Sequence, residues 1–98
     1  MTTITKDFTV KNLKGWHARP CALIARTISQ YPGVSVTFSC PDRNASASGS
    51  SLFEMMVLAV NCGDHVVATL TGEDTKKMND LMRALGKIME RQFLDGDF

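Results

Sequence analysis

From Thr3 to Val10 apolar and polar positions alternate, with Ile4, Phe8 and Val10 on one side and Lys6-Asp7 as an interruption, which predicts a half-buried first strand. Past Lys11-Asn12-Leu13-Lys14-Gly15 the period changes. Cys21, Ile24, Ile28 and Tyr31 recur at steps of three and four, the signature of one helix face. That helix is expected to begin near His17, to take Pro20 in its first turn, where a missing N–H costs little, and to stop at Pro32-Gly33. Val34, Val36 and Phe38 then alternate with Ser35, Thr37 and Ser39, the cleanest period of two in the chain. Cys40-Pro41-Asp42-Arg43-Asn44 reads as a turn, and Ala45-Ser46-Ala47-Ser48-Gly49 as a short strand or an edge strand of small residues. Ser50-Ser51 can cap a second helix through Leu52, Phe53, Met56, Val57 and Val60, ending near Asn61-Cys62-Gly63-Asp64. His65 to Leu70 makes a fourth strand. Gly72-Glu73-Asp74-Thr75 opens a last helix with Met78, Leu81, Met82, Leu85, Met89 and Phe93 on one face.

Strands and helices in the order βαββαβα predict an α+β two-layer fold, with the helices on one face of the sheet and the Ser/Thr side of the second strand in water. A chain of 98 residues fits one small domain, so 1–98 is expected to be a single unit. Lys+Arg 11 against Asp+Glu 10 leaves +1, too little for a large positive field, so nucleic acid is not an expected partner. No apolar run approaches the roughly 18 residues of a membrane span, and Met1 to Asp7 lacks a signal-peptide pattern, so the expected location is cytoplasmic, without direct membrane insertion. Cys21, Cys40 and Cys62 match neither a disulfide framework nor a zinc or redox spacing, and are expected to be buried thiols.

The segment with chemistry in it is Gly15-Trp16-His17-Ala18-Arg19-Pro20. It sets a histidine at a helix entrance, where the first-turn N–H groups of Ala18 and Arg19 lack partners and the dipole favours an anion. The Arg19 guanidinium adds a fork of donors, and Lys14 a mobile cation. A neutral imidazole nitrogen is nucleophilic near pH 7, so His17 in such a setting can accept a phosphoryl group rather than only bind one. A histidine at a helix start is also, quite ordinarily, a cap or a surface residue.

The motif Gly15-x-His17-x-Arg19-Pro20, following a strand and opening a helix, resembles the active-site motif of HPr, the histidine-containing phosphocarrier of the bacterial sugar phosphotransferase system. The similarity extends from Phe8 to about Phe93 and includes Ser51-Leu52-Phe53-Glu54-Met55-Met56 and the Gly63-Asp64-His65-Val66 turn into a strand. The resemblance implies an open-faced β-sandwich of four antiparallel strands with three helices on one side. It implies a phosphocarrier, an intermediate in transfer rather than a turnover enzyme, that accepts phosphate from phospho-enzyme I and passes it to a histidine of an enzyme IIA domain. No cofactor or metal is implied. By position, His17 matches the phosphorylated histidine, Arg19 the arginine beside it, Pro20 the proline that starts the helix, and Ser51 the serine phosphorylated by a regulatory kinase in some bacteria. Lys14 stands where a small polar residue is frequent, Trp16 where an aliphatic one is usual, Cys21 where alanine is common, and Glu54 where glycine is common. The chain also runs past the customary end with Leu94-Asp95-Gly96-Asp97-Phe98, so a terminal carboxylate near Arg19 is not assumed.

Leu52, Phe53 and Met56, with Trp16, are the expected docking surface for partner proteins, although Phe53 suits the core equally well, and either Met55 or Met56 could join the patch. His65 has no ligand-spaced companion and reads as a surface residue. An alternative reading keeps the same fold as a regulatory module, whose phosphorylation on His17 or Ser51 controls binding to a transcription factor or metabolic enzyme, with a serine kinase or phosphatase as further partner.

Overall fold

The computed structural model describes residues 1–92. Its elements are β1 (Thr2–Thr9), α1 (Ala18–Ser29), β2 (Ser35–Cys40), a 3₁₀ turn (Pro41–Arg43), β3 (Ala45–Ser48), α2 (Leu52–Val57), β4 (His65–Gly72) and α3 (Thr75–Glu90). The four strands form one antiparallel sheet in the order β1-β4-β2-β3, with Phe8 opposite Val66 and Phe38 opposite both Ala68 and Ala47. This is the α+β open-faced sandwich expected from the sequence, and β3 is an edge strand.

Period-two alternation sets which side each strand buries. Val66, Ala68 and Leu70 of β4 point into the core with Val36, Phe38 and Cys40 of β2, while Ser35 and Thr37 face outward. Ile24 and Ile28 of α1, Met55 of α2, and Met78, Leu81, Leu85 and Met89 of α3 close over that face. Lys6 shares the inward parity of Ile4 and Phe8, yet β1 lies at an edge, and its ammonium sits 5.4 Å from the centre of the Phe8 ring. Asp74 caps α3 by accepting from the Lys77 N–H at 3.1 Å, and Asn44 takes the left-handed conformation (φ 50°) that ends the 3₁₀ turn.

Three expectations need correction. The second helix was expected to reach Val60 but stops at Val57, since Ala59 turns left-handed (φ 56°) and frees Val60 to bury its side chain outside the helix. Tyr31, expected on the face of α1, follows that helix as a partly buried residue. Cys62 is exposed, because it lies on the loop after α2 rather than under it. Phe93, expected on the last helix face, and Leu94 to Phe98 lie outside the described residues.

Candidate functional site

Gly15 sets the approach to the site. Its φ is +67°, and a Cβ there would lie 2.3 Å from the Val60 carbonyl oxygen, so both conformation and space demand glycine. Its N–H donates to Asn12 O at 2.9 Å, and the next N–H, of Trp16, donates to Val60 O at 2.8 Å. The loop between β1 and α1 is thereby fastened to the loop between α2 and β4.

On its other side the same loop is fastened to the end of α3. Lys11 N–H donates to Met89 O at 2.9 Å and Leu13 N–H to Gln92 O at 3.1 Å. Between them Asn12, with 0% exposure, sends its side-chain amide to Ile88 O at 2.9 Å and to Arg91 O. The last carbonyls of a helix lack i+4 donors; here the Arg91 N–H reaches Ile88 O at 3.2 Å and the buried asparagine adds a donor to that oxygen and to Arg91 O. Nothing in the sequence reading singled out Asn12; one polar residue between Val10 and Leu13 looks like a loop.

Trp16 was expected at the docking surface and is instead 3% exposed. Its ring meets Phe38 edge to face, with centroids 5.1 Å apart, so it anchors the loop in the core and offers a partner no surface. Extended backbone then turns the next side chain the other way. His17 is the N-cap of α1 (φ −82°, ψ −171°), half-buried, with its carbonyl accepting from Cys21 N–H at 3.3 Å.

The imidazole is oriented by its cap. Nδ1 accepts from the Arg19 N–H at a long 3.4 Å, which assigns the proton to Nε2; that atom is buried without a partner among the described residues. Pro20, third in α1, has no N–H, so the helix entrance offers the amides of Ala18 and Arg19 beside Nδ1. The Lys14 side chain is exposed and Arg19 is half-buried. One turn into α1, Cys21 is buried with Sγ 3.5 Å from Trp16 O; burial pushes its thiol up to about 11, so it stays protonated and is no rival nucleophile.

α2 supplies the apolar surface. Ser51 caps it, Oγ accepting from Glu54 N–H at 3.1 Å, while the Glu54 carboxylate turns back to accept from Ser48 N–H at 3.0 Å. That is a capping box displaced outward by three residues, and the Ser51-x-x-Glu54 spacing was a signal the sequence reading missed. Leu52 and Met56 are exposed, and Phe53 is 76% exposed, which settles it as surface. Val57 and Leu13 are further exposed apolar residues that sequence reasoning did not select, whereas Met55 is core. His65 is exposed, 3.3 Å from an Asp7 oxygen, and stands apart from the His17 loop on β4. Among the described residues no cluster of three or more metal-binding side chains occurs, and no helix is long and apolar enough to cross a membrane.

The family model described as the PTS HPr component phosphorylation site matches residues 4–91. The chain is similar to the multiphosphoryl transfer protein of Salmonella typhimurium, 29% identical over 83 residues that cover 85% of this chain and 21% of that protein. The corresponding protein of Haemophilus influenzae is 32% identical over 84 residues, covering 85% of this chain and 16% of that one. The chain thus spans about a fifth or less of the length of these relatives. Among solved structures, the phosphocarrier protein HPr of Bacillus anthracis superimposes with a TM-score of 0.77 at 20% identity, covering 91% of this chain and 99% of that one. HPr-C-His of Thermoanaerobacter tengcongensis superimposes with a TM-score of 0.67 at 28% identity, covering 92% of each.

Proposed function

The chain belongs to the HPr family of phosphotransferase-system phosphocarriers, and from that membership we propose that His17 is the residue that carries the phosphoryl group. The observation that carries this reading is the aim of Nδ1 at the Arg19 N–H in the first turn of α1. With the proton on Nε2, the Nδ1 lone pair is the nucleophile. It attacks the phosphorus of a phosphohistidine on the donor; the Nδ1–P bond forms as the donor's N–P bond breaks, and the electron pair leaves on the donor's imidazole nitrogen. The Ala18 and Arg19 amides and the helix dipole then face the phosphoryl oxygens rather than a bare ring nitrogen, and the Arg19 guanidinium, with Lys14 on the loop, adds positive charge. No base is needed, because Nδ1 carries no proton to remove.

The partners are proteins of the phosphotransferase system. We read the donor as enzyme I and the acceptor as an enzyme IIA histidine, meeting His17 in turn in the cytoplasm. The exposed face of Leu52, Phe53, Met56 and Val57 gives both an apolar footing, since α2 packs on α1 and its trailing loop touches Gly15 and Trp16. Ser51, at the edge of that face, is where a regulatory kinase would act.

Incubation with enzyme I and labelled phosphoenolpyruvate tests the reading. Label should appear on His17 in an acid-labile, base-stable bond and vanish in His17→Ala; normal labelling of that variant, or loss in His65→Ala instead, would overturn it. Arg19→Ala should slow transfer at least about tenfold, about 1.4 kcal/mol in the barrier.

A further inference from the structure

We propose that Arg43, on the turn between β2 and β3, is a positioning residue for the phosphoryl-accepting histidine; the inference rests on the reading of His17 as acceptor. Arg43 Nη1 donates to Leu58 O and to Ala59 O, each at 2.7 Å, and Nη2 is paired with the Asp64 carboxylate. Asp64 Oδ2 also accepts from the Asn61 N–H at 2.8 Å. One guanidinium and one carboxylate therefore hold both ends of the 58–64 loop, and that loop includes Ala59, whose left-handed backbone (φ 56°) is unfavourable for a residue with a Cβ.

The same loop is the wall on which the His17 segment is laid. Val60 O, one residue beyond the carbonyls that Arg43 grips, accepts the Trp16 N–H at 2.8 Å and lies against Gly15, where a Cβ would come within 2.3 Å of it. At the far end, Gly63 N–H donates to Val10 O at 2.7 Å and Val10 N–H to Asp64 O at 2.9 Å. The path from Arg43 to His17 thus runs from its bonds on the Leu58 and Ala59 carbonyls, along the backbone to Val60, and through the Val60 O bond to Trp16, the residue before the histidine. Without Arg43, the Leu58 and Ala59 carbonyls are free to turn to water and Ala59 to relax toward a helical conformation, which moves the Val60 carbonyl. His17 Nδ1 and the Arg19 N–H are 3.4 Å apart, long for a hydrogen bond, so their alignment has little margin. Arg43 touches neither the phosphoryl group nor a partner's reacting atoms; its effect is on where Nδ1 points.

Phosphoramidate, a small phosphoryl donor that needs no docking surface, separates this from any effect on α2. Parent, Arg43→Gln, Arg43→Lys and Ile28→Val, a core truncation outside these bonds, are labelled with phosphoramidate at a temperature where each is folded by circular dichroism. The His17 ring nitrogens and the Arg19 amide are followed by NMR. Arg43→Gln should label His17 on the order of tenfold more slowly and shift the Arg19 amide and His17 Nδ1 signals, Arg43→Lys should recover part of the rate, and Ile28→Val should match the parent. Parent-like labelling and parent-like signals in Arg43→Gln overturn the proposal while leaving His17 as acceptor; absence of label on His17 in the parent overturns both. Equal slowing by Ile28→Val would reduce Arg43 to a general stabiliser and also overturn it. Should Arg43→Gln fail to fold, Arg43→Lys, whose ammonium lacks the planar fork that spans both carbonyls and the Asp64 carboxylate, decides by the same two readouts.

Discussion

Replacing Asn12 by alanine isolates the clamp between the His17 loop and α3. The substitution removes a donor that serves Ile88 O in a buried bond and Arg91 O in a partly buried one. The Ile88 carbonyl keeps the Arg91 N–H at 3.2 Å and the Arg91 carbonyl can turn to water, so each lost bond costs about 1 kcal/mol. A small cavity adds about 1 kcal/mol, and removing the Asn12 Oδ1, itself buried without a partner among the described residues, returns a similar amount. The expected net loss is about 2 kcal/mol, equivalent to a fall in Tm of about 8–16 °C for a domain of this size. Small domains have about 5–15 kcal/mol in hand, so the variant should still fold at low temperature. Urea unfolding followed by the fluorescence of Trp16, the one tryptophan, measures the change, and the slope of free energy against urea should match the parent's. Asn12→Asp sharpens the test. A carboxylate facing two carbonyl oxygens in a buried site has its pKa raised above the unfolded value of about 3.9, so the folded state binds the proton more tightly and the penalty grows as pH rises. Its deficit relative to the parent should be larger at pH 7 than at pH 4. A change under about 0.5 kcal/mol in Asn12→Ala, or a deficit for Asn12→Asp independent of pH, would refute the clamp.

Other perturbations separate surface from support. Phe53→Ala, at an exposed position, should leave the urea midpoint almost unchanged while raising the enzyme I concentration needed for half-maximal labelling several-fold; an unchanged concentration would remove Phe53 from docking. Ser51→Ala should cost roughly 0.5–2 kcal/mol through loss of the cap with transfer intact, whereas Ser51→Asp, whose side chain also caps well, should keep stability yet slow labelling at sub-saturating enzyme I, because a charge then sits beside an apolar contact. Equal rates for Ser51→Asp and the parent would leave Ser51 as a cap alone. In native protein a thiol reagent at pH 8 should modify Cys62 promptly, and Cys21, buried and held as a thiol up to about 11, only after urea is added; fast reaction of all three would contradict the burial.

The parts of the fold legible in the sequence are those fixed by nearby residues. Val34 to Ser39 alternates because one side of a sheet meets water, and Pro32-Gly33 ends α1 whatever the rest of the chain does. The end of α2 was not legible for the opposite reason. Val60 occupies an apolar position that suits a longer helix, but Ala59 turns left-handed and the Arg43 side chain, from another segment, takes the Leu58 and Ala59 carbonyls there. Trp16 misled in a similar way: its place beside His17 suggests a shared surface, but extended backbone sends neighbouring side chains in opposite directions, and Phe38 makes the inward one a core contact. The histidine, the helix entrance and the apolar start of α2 were all readable from local spacing. Asn12, Arg43 and the Glu54 carboxylate on Ser48 N–H were not, because each acts on backbone groups whose lack of a partner becomes visible only once the chain has folded.

The buried side-chain atoms left without a hydrogen-bond partner among the described residues are Asn12 Oδ1, Trp16 Nε1 and His17 Nε2, all within one six-residue stretch. Among the described residues the least satisfied side chains therefore lie in the stretch that carries the candidate histidine. On the reading of His17 as acceptor, Nδ1 must give its lone pair to phosphorus, and the long 3.4 Å bond from the Arg19 N–H is a weak hold on it. Such a segment holds its shape only if others impose it, and α3 does so through Asn12, the 58–64 loop through Val60 O, and the core through the Trp16 ring. The two polar supports reach the histidine from opposite sides and share no bond. Their losses should therefore add in stability, and an Asn12→Ala, Arg43→Gln double variant whose loss in unfolding free energy falls well short of the sum of the two single losses would refute that independence.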